Sequence, residues 1–276
     1  MTATEQRAEP RAAERPRHRT AWIVTAFLSA LFIVAPFAFL ALADAVSETA
    51  AYESPGNGRR HAVSAVEVDA GAAQLTVTPG ADGEVKMDGR LTWSVKRPKV
   101  EEQWVGDTLK VHTRCDGFVD RYVQNCSVEL NLTVPAGIHL KVSSGSGEIK
   151  VSDLTGPVDV KGGSGGIKLR GLKGTVKARV GSGELEATQL AGPEAVLSAG
   201  SGTVNADFTA PPRQVKASAG SGSVSVTVPE PDRYRVVGGK GSGGRSIQKE
   251  LLDENSDRIL DVSSGSGSVT VGYPGW

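Results

Sequence analysis

Several short stretches of this 276-residue chain carry residue types and spacings that do chemistry elsewhere. The run GGSGG at 162–166 has the G-x-S-x-G spacing that presents a nucleophilic serine, here Ser164, on a strained strand-to-helix turn. GKGSGG at 239–244 has the G-x-G-x-x-G spacing that lets backbone amides approach a pyrophosphate, and Asp261 follows near the spacing of a ribose-binding acid. Cys115 and Cys126 enclose DGFVDRYVQN, whose Asp116 and Asp120 are oxygen donors of the kind Ca²⁺ takes, with His112 and His139 not far away. Trp93, Trp104, Tyr122 and Trp276 offer flat faces on which a sugar ring could stack.

Each chemistry needs elements to position it, and the sequence does not supply them. A nucleophile elbow requires a following helix with a histidine and an acid in support, whereas residues after Ser164 alternate as a strand. The dinucleotide fingerprint requires a βαβ unit, and the surroundings of Gly239 are strand-like throughout. Asp116 and Asp120 lack the D-x-D-x-D series of a calcium loop, so they read as a solvated turn. The histidines and cysteines have no closely spaced ligand pair, so no metal or cofactor is expected. For so few aromatics, core or capping roles are the default.

What the chain does supply is a period. Gly-Ser-Gly returns with first glycines at 145, 163, 181, 200, 220, 241 and 265, at intervals of 18, 18, 19, 20, 21 and 24 residues. The pairs are Gly145/Gly147, Gly163/Gly165, Gly181/Gly183, Gly200/Gly202, Gly220/Gly222, Gly241/Gly243 and Gly265/Gly267. Apolar residues stand five and three before the first glycine, as in Leu140/Val142, and two and four after the second, as in Ile149/Val151, except at the sixth triplet, where Arg245 takes an apolar position. Charged or hydroxyl residues fill the gaps, which is the alternation of a strand with one buried face. Turns rich in Gly and Pro close each unit, for example TGP at 155–157 and LAGP at 190–193.

A unit of this length cannot bury its apolar face alone, but stacked units can. The pattern therefore predicts an all-β fold, a parallel β-solenoid of about seven to eight coils. Glycines are expected at corners whose bend demands backbone angles that a Cβ would forbid, with serines such as Ser164 and Ser182 forming a hydroxyl column. A degenerate unit surrounds Gly71-Ala72-Ala73. Residues 78–134 keep the alternation without the triplet and are expected to form longer strands and hairpins that cap the stack; 246–258 is expected to protrude as a loop, with a short helix within it as the alternative.

Residues 21–43 contain no charged side chain, and a helix of that length spans ~34 Å, enough for a bilayer core. Five arginines precede it, and Asp44, Glu48 and Glu53 follow it. The asymmetry predicts a cytoplasmic tail at 1–20, a single membrane span at 21–43, a polar linker at 44–61 and an extracellular domain at 62–276. A cleaved signal peptide ending at ALA, 41–43, is the alternative. In an oxidising compartment a Cys115–Cys126 disulfide would be worth about 3 kcal/mol by chain entropy, two unpaired buried thiols being the alternative.

The repeat, the preceding apolar helix and the short N-terminal tail resemble the bacterial "putative adhesin" family, a domain of unknown function, over roughly residues 60–274. The resemblance implies a β-solenoid at the cell surface and carries no catalytic site with it. The expected function is a non-enzymatic surface binding or structural module. An envelope-stress accessory or sensor protein and a polysaccharide-acting β-helix enzyme are the alternatives.

Net charge is zero, with 31 basic and 31 acidic residues, which gives no nucleic-acid signature. Between 141 and 179, however, basic residues outnumber acids by five. Lys141 and Lys177 share one outward repeat position, and Lys150 and Lys168 share another. Stacking predicts short columns of like charge, a candidate face for an anionic envelope polymer or for a membrane or envelope protein.

Overall fold

A computed structural model describes residues 19–45, 47–56, 62–81, 83–94, 96–115, 126–239 and 241–276. The chain forms two compact units, Met1–Val46 and Ser47–Trp276. The first contains a helix, α1 (Arg19–Ala45), into which the expected span 21–43 falls. Among the described residues no helix is long and apolar enough to cross a membrane.

The second unit is built almost wholly of strands. The N-terminal ones are β1 (Glu48–Glu53), β2 (Ala65–Asp69), β3 (Gln74–Gly80), β4 (Lys86–Trp93), β5 (Lys99–Val105), β6 (Thr108–Arg114) and β7 (Cys126–Pro135). The repeats supply β8 (His139–Ser144), β9 (Ile149–Ser152), β10 (Val158–Ser164), β11 (Ile167–Arg170), β12 (Val176–Ser182), β13 (Leu185–Leu190), β14 (Glu194–Ser201), β15 (Val204–Phe208), β16 (Gln214–Ser221) and β17 (Val224–Thr227). Last come β18 (Arg235–Val237), β19 (Arg245–Ile247), a 3-10 helix Lys249–Leu251, β20 (Ile259–Ser266) and β21 (Val269–Gly272).

Two sheets result, with orders β1-β4-β7-β3-β9-β11-β13-β15-β17-β21-β19 and β18-β20-β16-β14-β12-β10-β8-β2-β6-β5. Each Gly-Ser-Gly corner carries the chain from the second sheet to the first, and each Gly/Pro turn carries it back. Register follows the repeat: Ile167 lies between Ile149 and Leu185, and Val160 between Val142 and Ala178. The alternating residues point into the space between the sheets, where Ile149, Leu154, Ile167, Leu169, Leu172 and Leu185 are at most 1 % exposed.

The stack has nine parallel coils rather than seven to eight. The additional coil is β6 and β7, which has no triplet because the Cys115–Cys126 disulfide, 11 residues apart, spans the position of its corner. Residues 116–125, including Asp116, Asp120 and Tyr122, lie outside the described ones. Elsewhere in 78–134 capping is by antiparallel strands, β4 on β7, β1 on β4 and β5 on β6.

The coils are not stacked in chain order at either end. The Gly71 coil, β2 and β3, sits inside the β6/β7 coil that follows it in sequence. At the other end β20 and β21 pair directly with β16 and β17, and the sixth triplet's coil, β18 and β19, lies outermost. Arg245 explains the placement. It stands where other coils carry a buried apolar residue, opposite Val269, and only at an open end can it reach solvent and donate to the Gly238 carbonyl at 3.3 Å.

Two expectations need correction. Segment 246–258 does not simply protrude, because Leu251 is fully buried under the outermost coil and Leu252 bridges Tyr234. The polar linker 44–61 contains β1, whose alternation places Tyr52 against the core.

Candidate functional site

The corner glycines stack, but the chain bends later in the triplet than the repeat suggests. Gly163, Gly181, Gly200, Gly220 and Gly265, with the serines that follow them, still belong to strands β10, β12, β14, β16 and β20. The bend falls on the second glycine, where φ is +150° at Gly165, +144° at Gly183, +137° at Gly202, +136° at Gly222 and +142° at Gly267. Gly147 and Gly243 depart from this pattern, since neither has a positive φ. The expectation that every corner demands a special backbone angle is therefore corrected at these two. Close approach alone excludes a side chain there. A Cβ on Gly147 would run into the Ala73 carbonyl of the degenerate coil, and one on Gly243 into the Gly267 carbonyl.

The first glycines are limited by approach as well. A Cβ on Gly220 would lie 2.6 Å from the Gly200 carbonyl oxygen, and one on Gly265 would lie 2.5 Å from that of Gly220. Gly145 has slightly more room, 3.1 Å from the Gly71 carbonyl oxygen. Gly241 faces Gly265 rather than Gly220, because its coil lies outermost. A second column, Gly156, Gly174 and Gly192, stacks at the opposite turns; its signal in the sequence is a turn glycine recurring at the same interval.

Ser164, Ser182, Ser201, Ser221 and Ser266 stand in register. Among the described residues their hydroxyls do not bond one another. The bonds to corner carbonyls come instead from buried serines one step earlier, Ser144 to Gly71 at 3.2 Å and Ser264 to Gly222 at 2.7 Å. Ser164 is therefore an exposed corner residue with no base beside it. The Gly239–Gly244 motif is likewise the corner of the outermost coil.

The lysine columns differ from expectation. On the second sheet the column reads Lys110, Glu67, Lys141, Asp159, Lys177, so Lys141 and Lys177 are separated by an acid. Glu67 holds both Lys110 and Lys141 at 3.4 Å. On the first sheet Lys150 and Lys168 are neighbours, but Glu148 reaches both, at 2.7 and 2.8 Å. Hydrogen bonds from Lys150 and Lys168 hold the Glu148 carboxyl below its ordinary value of 4.5. The repeat position was legible, and so was Asp159, which holds that position in the coil between Lys141 and Lys177; the reach of Glu148 to two lysines was not.

A concave site lies at the capped end, where the edge strands β1 and β5 of the two sheets meet. Tyr52 Oη donates to Glu102 Oε1 at 2.6 Å, and Ser54 Oγ donates to Glu102 Oε2 at 2.7 Å. The Gly56 amide donates to Ser54 Oγ at 3.0 Å. These bonds tie the sheet edges together across a cleft of about 570 Å³, within the range of small-ligand sites. Tyr52, Trp104, Val100, Pro55, Arg97 and Glu53 line it with Glu102. Arg97 also lies over the Trp93 ring at 5.4 Å, a cation–π contact that orients its guanidinium.

Burial, and then the bond to Glu102, push the Tyr52 phenol well above its ordinary value, so it stays protonated and donating. Each Glu102 oxygen accepts a bond from the protein itself, which makes this carboxylate a cross-sheet fastener. What remains for a ligand is aromatic surface flanked by a cation and an acid. Of the aromatics singled out from sequence, Trp104 lines the cleft and Trp93 is linked to it through Arg97, while Trp276 packs by Gly272 at the other end. Tyr52 and Arg97 were missed because Tyr52 lay in an expected linker and Arg97 in a loop without a motif. Among the described residues no group of three or more His, Cys, Asp or Glu side chains could hold a metal.

The family model described as Toastrack DUF4097 matches residues 126–272. Among curated proteins nothing matches the sequence. Similar solved structures include a "putative adhesin" from Bacteroides fragilis, 14 % identical, covering 82 % of this chain and 96 % of its own with a TM-score of 0.46. A "putative cell adhesion protein" from Clostridium sporogenes is 15 % identical, covering 82 % and 98 % with a TM-score of 0.33. A "putative lipid binding protein" from Parabacteroides distasonis is 15 % identical, covering 82 % and 96 % with a TM-score of 0.38.

Proposed function

The chain belongs to the Toastrack DUF4097 family, and from that premise we propose that it is a membrane-anchored, non-enzymatic surface module that holds an envelope glycan in the cleft between β1 and β5. The cleft supports this reading most directly. A pyranose ring buries its C–H face well against Trp or Tyr, and its hydroxyls are met by charged groups at the rim, here Arg97 and Glu53. The ligand-binding surface is thus assigned to the cap and the support to the coils, whose glycines and serines serve stacking. The anchor reading rests on the charge-free run 21–43 and the arginines before it. Protease treatment of intact cells should release Ser47–Trp276 and leave a small membrane-held fragment; protection of the domain until lysis would refute the orientation.

The cleft is tested with the full chain in neutral lipid nanodiscs, titrated with soluble glycan fragments of the envelope and read by tryptophan fluorescence. Trp104→Ala should weaken binding by about tenfold, equivalent to ~1.4 kcal/mol, with Trp276→Ala unchanged. Equal binding by the Trp104 variant would remove the cleft from the proposal.

A further inference from the structure

One outward column of the second sheet differs from the other cation-bearing columns of the repeat coils; outside those coils Lys99 of β5 and Arg114 of β6 are also paired. It runs along the stack through Ser143, Lys161, Arg179, Ser198, Ser218 and Ser263, each in register with the next. Beyond Ser143 the register passes to Asp69, which is engaged by His112 at 3.0 Å and closes that end. Lys161 and Arg179 are cross-strand neighbours of like sign, an arrangement that destabilises a sheet when nothing answers it. Elsewhere stacked lysines are answered: Lys110 and Lys141 by Glu67, Lys150 and Lys168 by Glu148, and Lys216 by Asp261. Among the described residues none of the six side chains in this column has a hydrogen-bond or ion-pair partner. Lys161 and Arg179 are exposed, and Ser198, Ser218 and Ser263 are half-buried.

We propose that this column is a track for a linear phosphodiester polymer lying along the solenoid axis, with Lys161 and Arg179 clamping one phosphate and the serine hydroxyls donating to the oxygens that follow. The chemistry is that of the donor set. All six side chains donate and no acid stands among them; on the neighbouring outward column the clamp is flanked by Lys177, beside Arg179, and by Asp159, beside Lys161. The shape is that of the ladder, in which five steps of about 4.8 Å make a straight run of roughly 24 Å. A straight row of donors matches a chain-like ligand, and its charge complements an anionic one. The proposal does not rest on the cap cleft, which lies at the sheet edges and would bind a neutral ring.

The test uses the full chain in neutral phosphatidylcholine nanodiscs and poly(glycerol phosphate) fragments of graded length. Affinity should rise with fragment length and level off once the fragment spans the track. It should also fall with salt. Lys161→Gln with Arg179→Gln should weaken binding at least tenfold and reduce the salt slope by roughly 0.7, the value for the one phosphate they clamp. Lys150→Gln with Lys168→Gln should change neither quantity. Ser218→Ala with Ser263→Ala should lower affinity for long fragments only. Equal losses in the two lysine-bearing pairs, or no length dependence, would overturn the track. Tighter binding to phosphatidylglycerol vesicles than to the polymer would overturn the choice of ligand. Loss of glycan binding at the Trp104 variant, with polymer binding kept, would separate the two sites.

Discussion

At the residue scale the corners set the tolerance of the fold. Gly222 has a φ of +136°, and a Cβ there would run into the Gly202 carbonyl of the coil below. Neither backbone can withdraw without breaking its ladder. Gly222→Ala should therefore cost roughly 2–4 kcal/mol, seen as a lowered urea midpoint. Gly239→Ala should stay within about 0.5 kcal/mol, because nothing lies within 4 Å of its added Cβ. Equal midpoints for the two variants would contradict the stacked corner. Glu148 is a milder case. Its folded pKa is depressed, so its contribution is present above 4.5 and is lost as pH falls below that value. Glu148→Gln should flatten the loss of stability on acidification from pH 6 to about 3, while costing under ~1 kcal/mol at neutral pH. A variant as acid-sensitive as the parent would remove the two-lysine bridge from the account. The glycine positions were legible because only close backbone approach explains a fixed triplet. Which glycine carries the bend was not, and neither were the acid roles. An exposed Glu in one coil looks the same in sequence whether or not it reaches a lysine in the next.

At the element scale the alternation predicted strands, their inward faces and their neighbours through the middle of the array. Ile167 shows how firmly. It is 1 % exposed between Ile149 and Leu185, in a layer to which every coil but the outermost contributes one apolar side chain. Ile167→Ala should cost about 2–4 kcal/mol, since rigid ladders above and below prevent the cavity from collapsing. Leu252→Ala, at an exposed position of the end coil, should cost under ~1 kcal/mol. Thermal unfolding distinguishes them, and similar losses would mean that the end is packed as tightly as the middle. What escaped sequence reading is β1, placed in a linker, and the parallel stacking of β6 and β7, whose alternation was legible but was assigned to the cap. Both lie where the repeat's landmarks are missing.

At the scale of the molecule the order of coils could not be read from the period. A repeat template says which residues are equivalent, not which equivalents touch. The pairing of β20 with β16 over β18 is settled by where Arg245 can reach water. Removal of 259–276 should expose 235–258 to proteolysis, because β18 and β19 have only β20 and β21 to pair with in the two sheets. Continued protection of that segment would show that it can dock elsewhere. The same arrangement imposes a timetable on biosynthesis. Middle coils can zip one upon another as they leave the ribosome, but 235–247 emerges with no surface to settle on. It must wait for about 25 further residues, on the order of one to five seconds at ordinary synthesis rates. During that interval the most recently finished coil presents two bare edges to the cell. Residues 259–272 are the ones that end this exposure, so a chain halted just short of them would leave a nearly complete array open to the wrong neighbour.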